Sequence, residues 1–296
     1  CFIFIKNTKY IFQLNLYPII AGNFMLDGGA MFGVVPKSVW QKTNPADNNN
    51  MVKIAARCLL IEDGDKLILI DTGMGNKQSE KFFGYYYRWG EDTLGSSLKK
   101  NGFSPNDITD VFLTHLHFDH CGGAVVRTGA GSLETTFKNA KYWSNKNHWN
   151  WATAPNKRES ASFLKENILP IEESGQLHYL KKDGESYLTR SDLGFDVLFV
   201  DGHTEKQMIP IVNYKGQKIA FAADLVPTHG HVPLPYIPGY DIRPLISLKE
   251  KEVFLNYCCE NNVFLFFEHD ANVELRSLEK TDRGIRLNEK ITVLGL

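Results

Sequence analysis

The chain of 296 residues has almost no charge to offer a polyanion: 33 Lys and Arg stand against 34 Asp and Glu, a formal net charge of −1. Lys99-Lys100 and Lys181-Lys182 are ordinary solvated pairs, and without a basic stripe nucleic acid is excluded as a partner. Cysteine is sparse and odd in number, five in all, so there is no disulfide framework. Cys258-Cys259 reads as a core residue and its helical neighbour. A reducing compartment, and hence a cytoplasmic location, is expected. No apolar run reaches the roughly 20 residues of a transmembrane helix. Cys1-Phe2-Ile3-Phe4-Ile5 is apolar but too short, and a lipidated Cys1 stands as the alternative to a cytoplasmic chain. Repeats and low-complexity linkers are also missing, so 1–296 is read as a single domain, with residues 1–13 as an irregular extension.

What is present is an apolar content of 43 %, ample for a large core, arranged as short buried runs. Strands are expected at about 11–17, 52–61, 66–71, 108–114, 196–200, 210–214, 218–223 and 263–267, and helices at about 92–101, 158–168 and 247–261. Ser247 and Glu250 have capping-box spacing at the start of the last helix. Two β-rich halves with helices outside make an αββα sandwich of the mixed α/β (α+β) class.

The richest segment is His115-Leu116-His117-Phe118-Asp119-His120, which follows the apolar run 108–114 and leads into Cys121-Gly122-Gly123. Residues i and i+2 of an extended stretch point the same way, so His115 and His117 can grip one ion. After a glycine-assisted turn, Asp119 and His120 face a second point. Imidazole with carboxylate suits zinc, and also manganese, iron or cobalt. Three more apolar runs end in a candidate ligand: 197–200 before His203, 218–223 before Asp224, and 263–267 before Glu268-His269-Asp270. The ends of strands are where α/β folds place their sites. The allocation that follows is His115, His117 and His203 on one divalent ion, Asp119, His120 and His269 on a second, and Asp224 bridging both. His148, His178, His229 and His231 are left without a metal role, and Cys121 is read as a small buried residue.

These motifs resemble the metallo-β-lactamase superfamily of hydrolases over essentially the whole chain from about Leu14. Leu69-Ile70-Asp71-Thr72-Gly73 is similar to that superfamily's early aspartate motif, which implies that Asp71 supports a metal ligand rather than binding metal; Thr204 is assigned a similar supporting role. The loop Thr204–Met208 departs from the Pro-Gly that many relatives carry there. Asp224, in place of a cysteine ligand, separates the chain from the antibiotic-destroying zinc enzymes, and His117, in place of glutamate, from flavo-di-iron proteins. The resemblance implies two divalent ions, most simply zinc, and a hydroxide between them as nucleophile, with Asp119 or Asp224 moving the proton to the leaving group.

The segment Leu26–Pro36, with Met31 and Phe32, resembles the branch of N-acyl homoserine lactonases and organophosphate hydrolases. Aromatic residues at 82–89, 142–151 and 236–240 suggest an apolar mouth for an acyl or aryl group, with Met31, Phe32, His231 and Tyr236 as candidate substrate contacts. The alternative for those aromatics is packing under loops or a homodimer interface. The expected activity is opening of a lactone or related ester, N-acyl homoserine lactone first, in quorum quenching. The alternatives are an organophosphate or aryl-ester hydrolase and an iron-dependent oxidoreductase.

Overall fold

A computed structural model of the protein describes residues 14–296; the expectations for Cys1–Ile5, and for the first residues of the strand at 11–17, concern residues outside this range. The described residues open with a long hairpin of β1 (Asn15–Asp27) and β2 (Met51–Asp63), with α1 (Gly28–Phe32) and α2 (Lys37–Trp40) in the connection. β3 (Lys66–Ile70), α3 (Glu80–Gly84), α4 (Leu94–Lys100), β4 (Asp110–Phe112) and the one-turn α5 (Phe118–Cys121) follow. A small hairpin of β5 (Val125–Arg127) and β6 (Leu133–Thr135) precedes β7 (Lys141–Ser144), α6 (Lys146–Thr153), α7 (Lys165–Glu173) and β8 (Leu177–Tyr179). The second half runs β9 (Thr189–Arg190), β10 (Asp196–Val200), β11 (Gln207–Tyr214) and β12 (Gln217–Phe221). It ends with α8 (Pro244–Glu260), β13 (Val263–Phe266), β14 (Leu275–Thr281) and β15 (Gly284–Ile291).

Two mixed sheets result, ordered β1-β2-β3-β4-β7-β8 and β15-β14-β13-β12-β11-β10-β9. The period of two along the strands explains the layering. Leu59, Ile61, Ile68, Ile70 and Phe112 turn one face of the first sheet into a core shared with Val197, Ile211, Ile219 and Phe221 of the second. The intervening Cys58, Leu60, Leu69 and Val111 turn the other way, onto Leu98, Trp149, Ile168 and Ile171 from α4, α6 and α7. On the far side α8 lies on β13 and β14. The architecture is the expected αββα sandwich.

Local departures have physical causes. The last helix starts at Pro244 rather than Ser247, because proline at the first helical position is already set at a helical φ. Ser247 therefore lies inside the helix and donates to Asp241 Oδ2 (2.5 Å), while the Glu250 carboxylate accepts the amides of Asp201 and Gly202 at 2.8 and 2.9 Å. The helix expected from 158 starts at Lys165; upstream, the Asn156 side chain accepts the amides of Arg158 and Glu159 and holds a turn there instead. The β14–β15 hairpin escaped prediction because its residues are largely exposed and charged, which leaves no apolar run.

The ends of β3, β4, β10, β12 and β13 converge, placing Asp71, His115, His203, Asp224 and His269 around one point. Glycines make that possible by their size. Gly122 has an ordinary helical φ of −60°, so the turn does not need it. A Cβ there, however, would lie 2.1 Å from the Met74 carbonyl oxygen, and one on Gly123 2.2 Å from that of Thr72. Gly122→Ala is expected to destabilise the protein by about 1–3 kcal/mol through overpacking. Gly95→Ala, in α4 with open space around it, should stabilise by about 0.5–1 kcal/mol. Denaturant midpoints at unchanged slope check both.

Candidate metal centre

Beyond β4 the chain carries His115 and His117 toward one side, while Leu116 between them is buried in the core. The Leu116 amide donates to His148 Nε2 (2.8 Å), and His148 Nδ1 donates to the Glu205 carbonyl (2.5 Å). Burial keeps His148 neutral by driving it down to about 3, as its acceptor role requires. This histidine, left without a role in the sequence, ties the 115–117 segment to the loop that follows His203. That loop is closed by Lys206, in left-handed backbone (φ 52°), whose amide donates to Asp201 Oδ1 at 2.9 Å. α5 then turns Asp119 and His120 inward.

Three ring nitrogens meet in a first group. His117 Nδ1 stands 3.0 Å from His115 Nε2 and 3.1 Å from His203 Nε2, and the latter two are 3.3 Å apart. In the second group His269 Nε2 lies 3.1 Å from His120 Nε2, and Asp119 Oδ2 lies 3.8 Å from His269 Nε2. Asp224 spans the two, with Oδ2 3.2 Å from His203 Nε2 and Oδ1 3.1 Å from His269 Nε2 and 3.4 Å from His120 Nε2. Donors bound at 2.0–2.2 Å to one tetrahedral ion stand about 3.3–3.6 Å apart, so these spacings suit metal. Asp224 Oδ1 is buried without a hydrogen-bond donor. The donor set fits two cations.

The outer ring nitrogens decide which nitrogen is free. His203 Nδ1 donates to Asp241 Oδ1 and His269 Nδ1 to the Ala55 carbonyl, both at 2.9 Å. His120 Nδ1 meets Asp71 Oδ2 at 3.0 Å and Glu268 Oε2 at 3.1 Å. Asp71 also accepts the Thr114 amide (2.8 Å) and hydroxyl (2.6 Å). Because that hydroxyl donates to Asp71, its oxygen is left to accept from His115 Nδ1 at 3.1 Å. Asp71 thereby orients two imidazoles, directly and through Thr114. Its own backbone is left-handed (φ 58°), a conformation Asp tolerates better than most residues. In these four rings, His115, His120, His203 and His269, the outer nitrogen donates and the inner nitrogen is turned toward the cluster.

Burial holds His115 and His117 below the usual imidazole range, and His115 is pushed further by the neighbouring rings of His120, His117 and His203. Burial works against ionisation of Asp224, but His120, His269 and His203 hold its carboxyl well below the usual carboxylate range. Burial likewise opposes the charge on His269, yet Asp224 and Glu268 keep it up at about 9. Burial pushes Glu268 up to about 8, tempered by His120 and reinforced by Asp71. Glu268 and Asp270 flank His269 in the chain and are themselves potential ligands. The structure turns Glu268 to the back of His120 and pairs Asp270 with His229.

Above the two groups opens a cavity of about 520 Å³. His117, Asp119, His203, Asp224 and His269 lie at its floor; Leu26, Ala30, Tyr86, Phe118 and Tyr240 form apolar wall, and Arg158, Glu159 and Ser162 a polar one. Tyr240 packs edge-on against His203, ring centroids 5.7 Å apart. Four sequence candidates for substrate contact do not line this cavity. Met31, Phe32 and His231 are fully buried beside it. Phe32 stacks between Trp40 (5.0 Å) and His231 (4.2 Å), and His231 Nε2 donates to the Met31 carbonyl (2.9 Å). Burial lowers His231 to about 3, which suits this neutral packing role. Tyr236 lines a different groove, between α8 and the β14–β15 hairpin. Their apolarity serves packing here; of the aromatic stretches expected at the mouth, Tyr86 and Tyr240 do form wall, joined by Ala30. Thr204 donates to Glu159 Oε1 at 2.7 Å. Glu159, missed in the sequence, also accepts from Trp151 Nε1 (2.8 Å) and Asn156 Nδ2 (2.6 Å). Although burial opposes it, the imidazole of His117 nearby and hydrogen bonds from Thr204 and Trp151 hold Glu159 at about 2. Tyr86 comes from the aromatic stretch 82–89 expected at the mouth, whereas Arg158 has no sequence signal, since nothing near it in the chain carries site chemistry. Among the described residues no helix is long and apolar enough to cross a membrane.

The αββα fold and this buried His/Asp floor define a metal-dependent hydrolase. The chain belongs to the metallo-beta-lactamase superfamily, whose family model matches residues 54–257. An N-acyl homoserine lactonase of Bacillus cereus is 28 % identical over 276 residues, 88 % of this chain and 94 % of the relative. A probable metal-dependent hydrolase of Staphylococcus aureus superposes with a TM-score of 0.84 at 28 % identity, over 95 % of this chain and 97 % of that one. The dizinc quorum-quenching lactonase AidC, solved with the product N-hexanoyl-L-homoserine, shares the fold with a TM-score of 0.76 at 22 % identity, over 95 % and 96 % of the two chains.

Asp224→Ala removes the carboxylate that spans both groups. Metal analysis of the purified variant is expected to find at most one ion per chain, with hydrolytic activity down by at least ~100-fold. His148→Ala leaves the buried Leu116 amide without its acceptor and should cost about 1–3 kcal/mol, read from denaturant unfolding.

Proposed function

We propose that the protein opens the ring of N-acyl homoserine lactones. In this reading His115, His117 and His203 hold one divalent ion, Asp119, His120 and His269 a second, and Asp224 is shared; zinc suits the donors, with manganese, iron or cobalt as chemical alternatives. The observation that carries the reading is the two-sided cavity over the His/Asp floor. A lactone carbonyl needs the floor, while an acyl tail needs an apolar wall such as Leu26, Tyr86, Phe118 and Tyr240 supply. The Bacillus cereus lactonase, similar along nearly its whole length, supports the same substrate class.

Ions bound at the floor supply Lewis acidity and lower the pKa of a water to around 7. The chain's residues do the rest. Tyr86 and Phe118, whose ring centroids are 4.8 Å apart, cover the approach to Asp119 and exclude bulk water from the ester. Asp119, at the floor and on the cavity side, takes the proton given up by the water that adds to the carbonyl and passes it to the ring oxygen as the carbonyl C–O bond breaks. Water is thereby added across the ester, giving a carboxylic acid and an alcohol. The acid ionises near neutral pH and releases one proton per turnover.

A pH-stat assay on metal-quantified protein reads that proton directly. A long-chain N-acyl homoserine lactone is expected to be hydrolysed with a far higher kcat/KM than an aryl phosphotriester or a simple aryl ester. Rapid triester turnover with a silent lactone would replace this reading by an organophosphate hydrolase and make the apolar wall an aryl pocket.

A further inference from the structure

Of the five imidazoles in the cluster, four have a hydrogen-bonded outer nitrogen: His115 with Thr114, His120 with Asp71, His203 with Asp241 and His269 with the Ala55 carbonyl. His117 is the exception. Its Nε2 is buried with no hydrogen-bond partner, and Glu159 Oε1 faces it at 3.6 Å. A buried N–H left without an acceptor is costly, and a ligand ring without one is poorly oriented. The Glu159 carboxylate is itself held from behind. Its Oε2 takes Trp151 Nε1 and Asn156 Nδ2, and its Oε1 takes the Thr204 hydroxyl. The carboxylate is therefore fixed, oriented and buried at 3 % exposure, and Thr204 immediately follows His203 in the chain.

We propose that Glu159 is the positioning residue of the first metal group, closing on His117 Nε2 so that His117 Nδ1 and His203 Nε2 converge on one ion. This rests on the two-ion reading of the site. It gives Thr204 a role through Glu159, and it makes the turn between α6 and α7, which lines the substrate cavity, part of the metal-binding machinery.

Glu159→Gln isolates the contact. The amide oxygen can still accept from Trp151 and Asn156, and the amide NH2 can donate to the Thr204 hydroxyl oxygen. Toward His117 Nε2–H, however, the variant presents a second donor in place of an acceptor. Chelator competition with zinc is expected to show the affinity of one of two ions reduced roughly 10- to 100-fold, with the melting temperature of the metal-free protein unchanged. Thr204→Val, which unlocks the carboxylate without removing its charge, should weaken the same ion less. The double variant should lose no more than Glu159→Gln alone. Wild-type affinity in Glu159→Gln, a loss confined to metal-free stability, or additive losses in the double variant would each overturn the proposal. A wild-type protein that takes up no zinc would overturn the two-ion reading, and the proposal with it.

Discussion

Five imidazoles and two carboxylates are packed where little water reaches, and the structure is organised to keep that arrangement from flying apart. Burial denies His115 and His117 their charge, so their lone pairs must be directed by hydrogen bonds at the opposite ring nitrogens. Asp71 is the hub of that network. It takes the Thr114 amide, the Thr114 hydroxyl and His120 Nδ1 at once, and it does so from a left-handed backbone conformation at the end of β3. Moving Asp71 by an ångström would release two rings. The adjacent Thr72–Met74 segment lies so close to Gly122 and Gly123 that neither has room for a side chain, so strand end and ligand segment are locked in register.

The same constraint explains the two sheets. No single strand can bring seven donors to a point, because consecutive side chains of a strand diverge to opposite faces. The first sheet delivers Asp71 and the 115–120 segment; the second delivers His203, Asp224 and His269, each just past the end of a strand. Apolar residues alternating on both faces of β2 and β3 bind these layers to each other and to the outer helices. The sandwich thus supplies a stiff frame, and short loops project chemistry from one edge of it. Substrate selectivity then falls to the walls, made by β1, the residues after α3, the turn before α7 and the segment before α8.

Much of the site was legible in the chain because its signals are local. The 115–120 cluster has no packing rationale, and His203, Asp224 and His269 each close an apolar run; the structure gathers all of them at one point. Substrate contacts were legible only in type. Met31 and Phe32 are expected at the wall because the segment that carries them resembles one in the lactonase and organophosphate-hydrolase branch, yet Phe32 spends its face on Trp40 and His231. Glu159 was invisible for the opposite reason: in Pro155-Asn156-Lys157-Arg158-Glu159 it looks like solvated surface. Only the fold of that turn carries it inward, to Thr204, Trp151 and the edge of His117.

The division follows from range. Periodicity and ligand spacing act over a few residues, so the sequence by itself determined the long apolar strands that carry the ligands and the kinds of atoms that face a cation, but not the short or exposed strands such as β5 to β9, β14 and β15. Which side chains back those atoms, and which surround the cavity, depends on contacts between segments 38 to 214 residues apart, such as His203 with Asp241 and His269 with Ala55. Those pairings depend on how sheets, helices and turns pack in three dimensions. A side chain's burial and partner are properties of that packing, and the tertiary structure alone decided them.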